Sequence, residues 1–519
     1  MRSSKHRFRS RILSCFLIGA MLIPALESAA VLAETSSAIP ISSRAELEKI
    51  GTDASYPMDG DYQLTADIDL SGEDWEPFGG HLGNKGTCNP TDSNVFSGTF
   101  DGQGHVISGL TINLSDSINQ EGKYGQVGLF SVIGSNSDTD YAEVKNLIFT
   151  DVDIRTDFPN GLSAIGTLAG EVNGYAKISN IAVISGDLEV NPSRNSDTVG
   201  AGGIIGECRT QDSMGNNHIT VTDCYNGADI SAGGSREDLI YTSGIIGRIA
   251  KSPCQSVSQC VNTGDILYNG YTANAIVYAE LSTAEYLAGV SNCYFLKNSG
   301  QASCDGTISL SAKKLTAGST PDKLLPDNTF TEWTAETGCY PVPSFCYDSS
   351  AAGEIYLSLL SLDFAEGEDI SSVKSEFSLP QEFRQTAVTW SSSNEEALSI
   401  ENGMATPHTD KIGVNTVVTL TAEMGGNSRS FMVTVLTSRE EIASFNMPYA
   451  QIDKELIASV SNTEDMQLAY EWQVGGKVVS RTNKYTPTEA DLEKFISVTI
   501  TPDDNAIQPW KLICNDFCQ

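Results

Sequence analysis

The sequence predicts an all-β chain: a right-handed parallel β-helix followed by two small antiparallel sandwiches. Three observations carry this expectation. Glycine-bracketed apolar segments recur between residues 125 and 247. A second template recurs beside them, with starts separated by 34, 43, 36 and 33 residues. After residue 347 the recurrence stops, and alternating strands bounded by turn residues take over. A period of this size means stacked units, none of which can bury its apolar face alone.

The chain opens on processing information. Arg2, Lys5, Arg7, Arg9 and Arg11 precede an apolar run from Ile12 to Ile23, and Val31-Leu32-Ala33 offers small residues for cleavage. This is the layout of a signal peptide over residues 1–33, and it predicts a secreted or cell-surface protein. The whole chain carries 32 basic and 66 acidic side chains in 519 residues, a net charge of −34. Without the leader, 27 basic and 65 acidic side chains remain, a balance of −38. Such a charge repels phosphate backbones and anionic bilayers, so no nucleic-acid partner is expected. No later stretch is long and apolar enough to span a bilayer, so no transmembrane segment is expected in the mature chain.

Residues 34–347 form the predicted solenoid. Ser43 before Arg44-Ala45-Glu46 reads as a capping box, and Gly51 stands where a short helix stops. Such a helix covers the first exposed sheet edge, as solenoid caps do. Tyr62-Gln63-Leu64 begins a strand pattern that runs to Leu70. The Asp101-Gly102 and Gln103-Gly104 steps punctuate the next one. The glycine-bracketed segments are Gly125–Phe130, Gly166–Gly170, Gly203–Gly206 and Gly244–Gly247. In the second template a β-branched residue is followed two positions later by a polar one, then by an apolar residue or Cys. The starts are Val144, Ile178, Val221, Val257 and Val290. The polar members are Asn146, Asn180, Asp223, Gln259 and Asn292. The residues after them include Cys224, Cys260 and Cys293, which stacking places in one interior row as small buried hydrophobes. Strand spacing permits disulfides in that row, but stacked parallel Cβ vectors seldom supply the torsion.

The Tyr-x-Leu-Thr-Ala-Asp-Ile-Asp-Leu-Ser-Gly segment, the Phe-Ser-Gly-Thr-Phe-Asp-Gly-x-Gly-His segment and the Gly-Ile-Ile-Gly repeats resemble the GLUG-motif β-helix proteins of bacteria. That module also stands beside zinc endopeptidases of the immunoglobulin A1 protease group. The resemblance covers most of residues 41–347, and Trp333 with Cys339-Tyr340-Pro341 looks like its closing element. It implies secretion and surface display, and it implies no established catalytic residues in the helix.

Residues 348–437 read as the first sandwich. Expected strands lie at Glu354–Leu360, Val388–Asn394, Thr416–Ala422 and Phe431–Val435. The Trp390-Ser-Ser-Ser-Asn394 segment looks like bacterial Ig-like modules, and alternation places Trp390 in the core. Residues 438–519, with strands near Leu456, Tyr470, Tyr485 and Ile496, resemble a second Ig-like domain. The tail from Pro502 matches nothing, as a truncated gene product would.

Chemistry is sparse. His81, His105, His218 and His408 form no His-Glu-x-x-His motif, and no Gly-x-Ser-x-Gly elbow or Walker loop occurs. Asp67, Asp69, Glu73 and Asp74 read as a solvated turn, with no calcium-loop spacing. Twelve cysteines are present. Cys339 and Cys346 close a short loop that permits a disulfide, as do Cys514 and Cys518. The latter are a weak zinc signal without a matching pair. No catalytic residue, metal or cofactor is therefore expected. The expected function is a non-catalytic surface protein, an adhesin or a stalk, with a host or cell-wall glycan or protein as partner. One alternative is a β-helix polysaccharide lyase or glycoside hydrolase, with Asp101 and Asp151 as its acidic candidates. The other is a fragment of a larger surface protein whose catalytic or anchoring domain is missing.

Overall fold

The computed structural model describes residues 38–79, 94–114, 125–158, 164–192, 198–209, 218–233, 240–250, 254–268, 273–279, 287, 289–297, 303–317, 330, 332–412, 415–438, 443–446, 450–461, 467–492, 494–502 and 510–513. The leader, His81 and the Cys514/Cys518 pair lie outside these residues.

A parallel β-helix occupies the first part. Each coil lays one strand on each of four stacks. One coil runs through Ala142–Thr150, Val152–Phe158, Ala164–Gly166 and Ala169–Asn173 before Tyr175–Val183 starts the next. Three of the stacks are five-stranded, and the fourth belongs to a fourteen-stranded sheet. Pairing in these stacks is parallel, as in Val144 beside Ile178 and Ile178 beside Val221, with a register shift where Ile246–Ala250 meets Val277–Ala279.

The polar members of the second template hold the key bend. Asn146, Asn180, Asp223, Gln259 and Asn292 all sit in the left-handed region, at φ of 53–55°. Asn and Asp tolerate this better than other residues with a side chain. One left-handed residue resets the strand's parity. Val144 points inward before the step and Leu147 after it, while Ile148 turns outward. The template is therefore a corner instruction written in three residues.

The glycine brackets do a different job. The chain reverses at Gly203-Ile204, and the two stacks it joins approach backbone to backbone. A Cβ on Gly206 would lie 2.3 Å from the Ile165 nitrogen and 2.6 Å from the Gly170 oxygen. Only glycine permits this approach.

At the first edge, Ile39–Ile41 pairs with Tyr62–Leu64, and a one-turn helix follows at Arg44–Leu47. The Ser43 side chain accepts from the Glu46 nitrogen. The Glu46 carboxylate reaches back to the Ser42 nitrogen, at 2.8 Å. The expected cap is present, shifted by one residue.

The outward residues of successive corners make a continuous apolar column: Val106, Ile148, Ala182, Tyr225, Val261 and Tyr294, each the register partner of the next. The column is buried because residues 330–435 lie against it and share one core with it. Phe330 bridges Tyr294 and Trp333 with ring separations of 5.4 and 5.2 Å. The Trp333 indole N–H donates to Asp223 Oδ1 at 3.0 Å. The first sandwich is thus welded along the side of the solenoid.

One expected strand is a helix. Ala352–Leu359 is α-helical and buries Ile355, Tyr356, Leu357 and Leu359. It is apolar on nearly every side because it lies between two sheets, which removes the alternation that separates strand from helix. Arg429 Nη1 donates to the carbonyls of Leu357, Ser358 and Leu360 at 2.8, 2.7 and 2.6 Å. Those are the carbonyls a helix end leaves unpaired. The sandwich strands follow: Thr389–Ser392, Thr416–Met424 and Asn427–Val435 form one antiparallel sheet, and Phe377–Ser378, Met404–Pro407 and Leu398–Glu401 another. Trp390 is half-buried, stacked on Phe431 with its N–H on the Pro380 carbonyl at 2.8 Å. The last unit, Ala443–Ile513, is also antiparallel and has its own core around Trp472.

Candidate functional site

The ladder at the corners uses up one of the two acidic candidates. Asn180 Nδ2 donates to Asn146 Oδ1, and Asn146 Nδ2 donates to Asp101 Oδ1, each at 3.0 Å. Asp101 also accepts from the Gln103 nitrogen at 2.9 Å. It terminates a structural ladder. Asp151 sits elsewhere, at φ 53°, with its nitrogen donating to Ser185 Oγ. The Asp67–Asp74 group is divided in the same way. Asp67 accepts from the Val106 nitrogen and from the Ser350 hydroxyl, and lies 3.0 Å from His105 Nδ1. Asp69 accepts from the Ser71 nitrogen. Arg44 binds the carbonyls of Glu73 and Asp74.

The cysteines fall into separate sets. Cys224, Cys260 and Cys293 directly precede the register partners Tyr225, Val261 and Tyr294, and all three are fully buried in the solenoid core. Their thiols donate to the carbonyls of Thr222, Ser258 and Ser291 at 3.2–3.3 Å. Burial pushes the Cys260 and Cys293 thiols well up. Cys339 and Cys346 are both buried, free thiols beneath the docked sandwich. Cys339 donates to the Tyr356 carbonyl. Packing in the shared core places each thiol by its own neighbours.

An acidic column escaped the sequence reading. Asp153, Asp187 and Asp229 are register partners, and the Asp265 nitrogen donates to Asp229 Oδ1 at 2.7 Å. Each Asp stands 8 or 9 residues after a template start, a spacing that would have revealed it. Burial raises Asp229 and Asp265, and the neighbouring carboxylates raise Asp229 further. A cleft of about 380 Å³ lies where this column faces the sandwich, walled by Asp151, Asp187, Asp229, Glu354 and Arg429. A second cleft, of about 730 Å³, lies at the capped end, with Glu48, Glu73, Trp75 and Phe78 among its walls.

Inside the solenoid Glu171, Glu207 and Arg248 are register partners and are buried. Gln126 and Asn173 donate to Glu171 at 3.2 and 3.0 Å, while Arg209 and Arg248 hold Glu207 at 2.6 and 3.2 Å. Burial and the Glu207 charge push Glu171 up to about 7. Among the described residues, no group of three His, Cys, Asp or Glu side chains is placed to hold a metal ion.

The remaining exterior face of the long sheet is polar. Its first row is Tyr141, Tyr175 and His218, with Tyr175 and His218 stacked at 4.3 Å and Lys177 Nζ 4.7 Å from the Tyr141 ring centre. Register adds a row of Thr99, Glu143, Lys177, Thr220 and Ser256, and another of Asp101, Lys145, Ser179, Thr222 and Ser258.

A family model of the atrophied bacterial Ig domain matches residues 356–438, the laterally docked sandwich. Halomucin of Haloquadratum walsbyi is 32% identical over 145 residues, 27% of this chain and 2% of that protein. A Gly-rich membrane protein of Evansella cellulosilytica is 33% identical over 134 residues, 26% of this chain and 12% of that protein. The chain therefore spans only a small part of these curated relatives. A solved immunoglobulin A1 protease-type structure of Bacteroides ovatus is 17% identical with a TM-score of 0.35, over 60% of this chain and 93% of that one. Among the described residues no helix is long and apolar enough to cross a membrane.

Proposed function

We propose that this is an exported, non-catalytic surface protein whose solenoid presents a broad binding face. The observation that carries the reading is the polar sheet face, where an aromatic row lies beside two rows of hydroxyl and mixed-charge side chains held in register over successive coils. Such a face offers aligned hydrogen-bonding groups to an extended partner, a host or cell-wall glycan or protein. The Ig-like match and the surface or membrane names of the two relatives support an extracellular setting. The basic-then-apolar start supports a signal peptide, and the repeat order supports the GLUG resemblance.

The test is a glycan and matrix-protein array probed with the full chain and with a Tyr175→Ala/Lys177→Ala double variant. Binding without turnover, weakened at least tenfold in the variant, is expected. Uniform silence across the array favours a stalk with no ligand of its own. Glycan cleavage abolished by Asp151→Asn would overturn the non-catalytic reading. Asp101 makes a poor acid or base for such chemistry, because its carboxylate is committed to the corner ladder.

A further inference from the structure

We propose that Asn402 is a self-modification site, where the exposed Asn402-Gly403 turn converts to aspartate and isoaspartate and loosens the first sandwich as the protein ages. The sequence holds five Asn-Gly steps, at Asn160, Asn173, Asn226, Asn269 and Asn402. Asn160 and Asn269 lie outside the described residues. The fold separates the other three. Asn402-Gly403 is the whole loop between Leu398–Glu401 and Met404–Pro407, and the strands close on it with Glu401 paired to Met404. Both loop residues are left-handed, at φ of 50° and 76°, the pattern of a type I′ hairpin. Asn402 is exposed, and among the described residues neither its side chain nor the Gly403 nitrogen is hydrogen-bonded. Asn226 is the opposite case. It is fully buried, its Nδ2 donates to the Ala228 carbonyl at 2.9 Å and to Asn262 Oδ1 at 2.8 Å, and the Gly227 nitrogen donates to the Val183 carbonyl at 2.7 Å. Asn173 is equally buried, with Nδ2 donating to Glu171 at 3.0 Å.

The reaction needs only water. The Gly403 nitrogen gives up its proton and attacks Asn402 Cγ. The Cγ–Nδ2 bond breaks, ammonia leaves, and a succinimide ring closes. Water then opens the ring at either carbonyl, giving aspartate or, with the main chain routed through the side chain, isoaspartate. Nothing is oxidised or reduced. Glycine favours the first step because it has no side chain to shield its nitrogen. The ring closes when the turn opens locally, and an exposed two-residue loop opens at far lower cost than a core corner. The isoaspartate branch has the larger effect. It adds a carbon to the main chain in a loop whose length fixes the register of both strands. Those strands carry Leu398 and Ala405, and Ala405 pairs with Phe377. All three side chains belong to the core that the sandwich shares with the solenoid column.

The test stores the full chain at mildly alkaline pH, native and in guanidinium, and follows the peptides that contain Asn173, Asn226 and Asn402. Chromatography with mass analysis separates the asparagine, aspartate and isoaspartate forms of each. In the native chain, conversion at Asn173 and Asn226 is expected to be at least about tenfold slower than at Asn402, since each needs the core to open. In guanidinium the three should convert at similar rates. An Asn402 peptide that stays intact while the denatured chain converts overturns the proposal, and so do equal native rates at all three positions. Asn402→Gly keeps a residue that accepts the left-handed turn and has no amide to lose. Its melting temperature should hold during storage while that of the wild type falls, with the isoaspartate fraction melting lowest. Equal drift in both chains overturns the loosening.

Discussion

Glu171 shows how much a single buried residue can govern. An ordinary glutamate titrates near 4.5, whereas burial and Glu207 place this one at about 7. Between those values the folded protein holds a proton that the unfolded chain has released. Stability therefore falls as pH rises through that window and levels off above about 7. A carboxyl moved that far corresponds to about 3 kcal/mol. Glu171→Gln should flatten the trend and be more stable than wild type near pH 8, as urea midpoints at about pH 5 and 8 will show. Asn146 offers a second test at this scale. Asn146→Ala forces a left-handed alanine and breaks two ladder bonds, for a loss of about 2–4 kcal/mol. Asn146→Gly removes only the bonds and should cost about 1–2 kcal/mol by the same measurement. The polar ladder was legible because a corner needs Asn, Asp or Gln at a fixed place in the template. Glu171 was not. A glutamate inside Gly170-Glu171-Val172 reads as an exposed residue until register sets Glu207 and Arg248 beside it.

At the scale of elements, the glycine brackets make the sharpest prediction. Gly206→Ala would drive a methyl into the Ile165 and Gly170 backbones, which cannot yield as a side chain can. The expected result is loss of soluble folded protein. Gly72→Ala is the control: it has a positive φ of 92° but open space around it. It should cost only about 1–2 kcal/mol and still express. Strand order in the solenoid was readable because the repeat dictates it. The helix at Ala352–Leu359 was misread as a strand because the run Ile355-Tyr356-Leu357 is buried without a break, which blurs its period. No local signal marks Arg429 as the group that satisfies its last carbonyls, since the two are about seventy residues apart. The acidic column was hidden differently. Its spacing is regular, but one Asp per coil carries no meaning until the coils stack.

For the whole molecule, the sequence placed the sandwiches after the solenoid, and the first of them lies along the solenoid and shares a core with its outward column. The outward corner residues looked like ordinary strand alternation, and their joint role appears only when six coils align them. Tyr225→Ala should therefore loosen both parts together, by about 3–5 kcal/mol, with a single shared melting transition. A chain ending at residue 437 should melt as the full chain does, because the last unit has a core of its own. A chain ending at residue 311 should bind a hydrophobic dye and self-associate, because the column is then bare.

That column also has a history within each molecule. A solenoid adds coils as residues become available, so Val106 meets Ile148 early and Tyr294 completes the stripe much later. The side chains that cover it come last, up to Val435. On the export reading proposed above, a chain threading through a membrane pore would carry a growing greasy flank until residues 330–435 emerge. A holdase that recognises that flank would find its client for a defined interval, and the arriving sandwich would evict it.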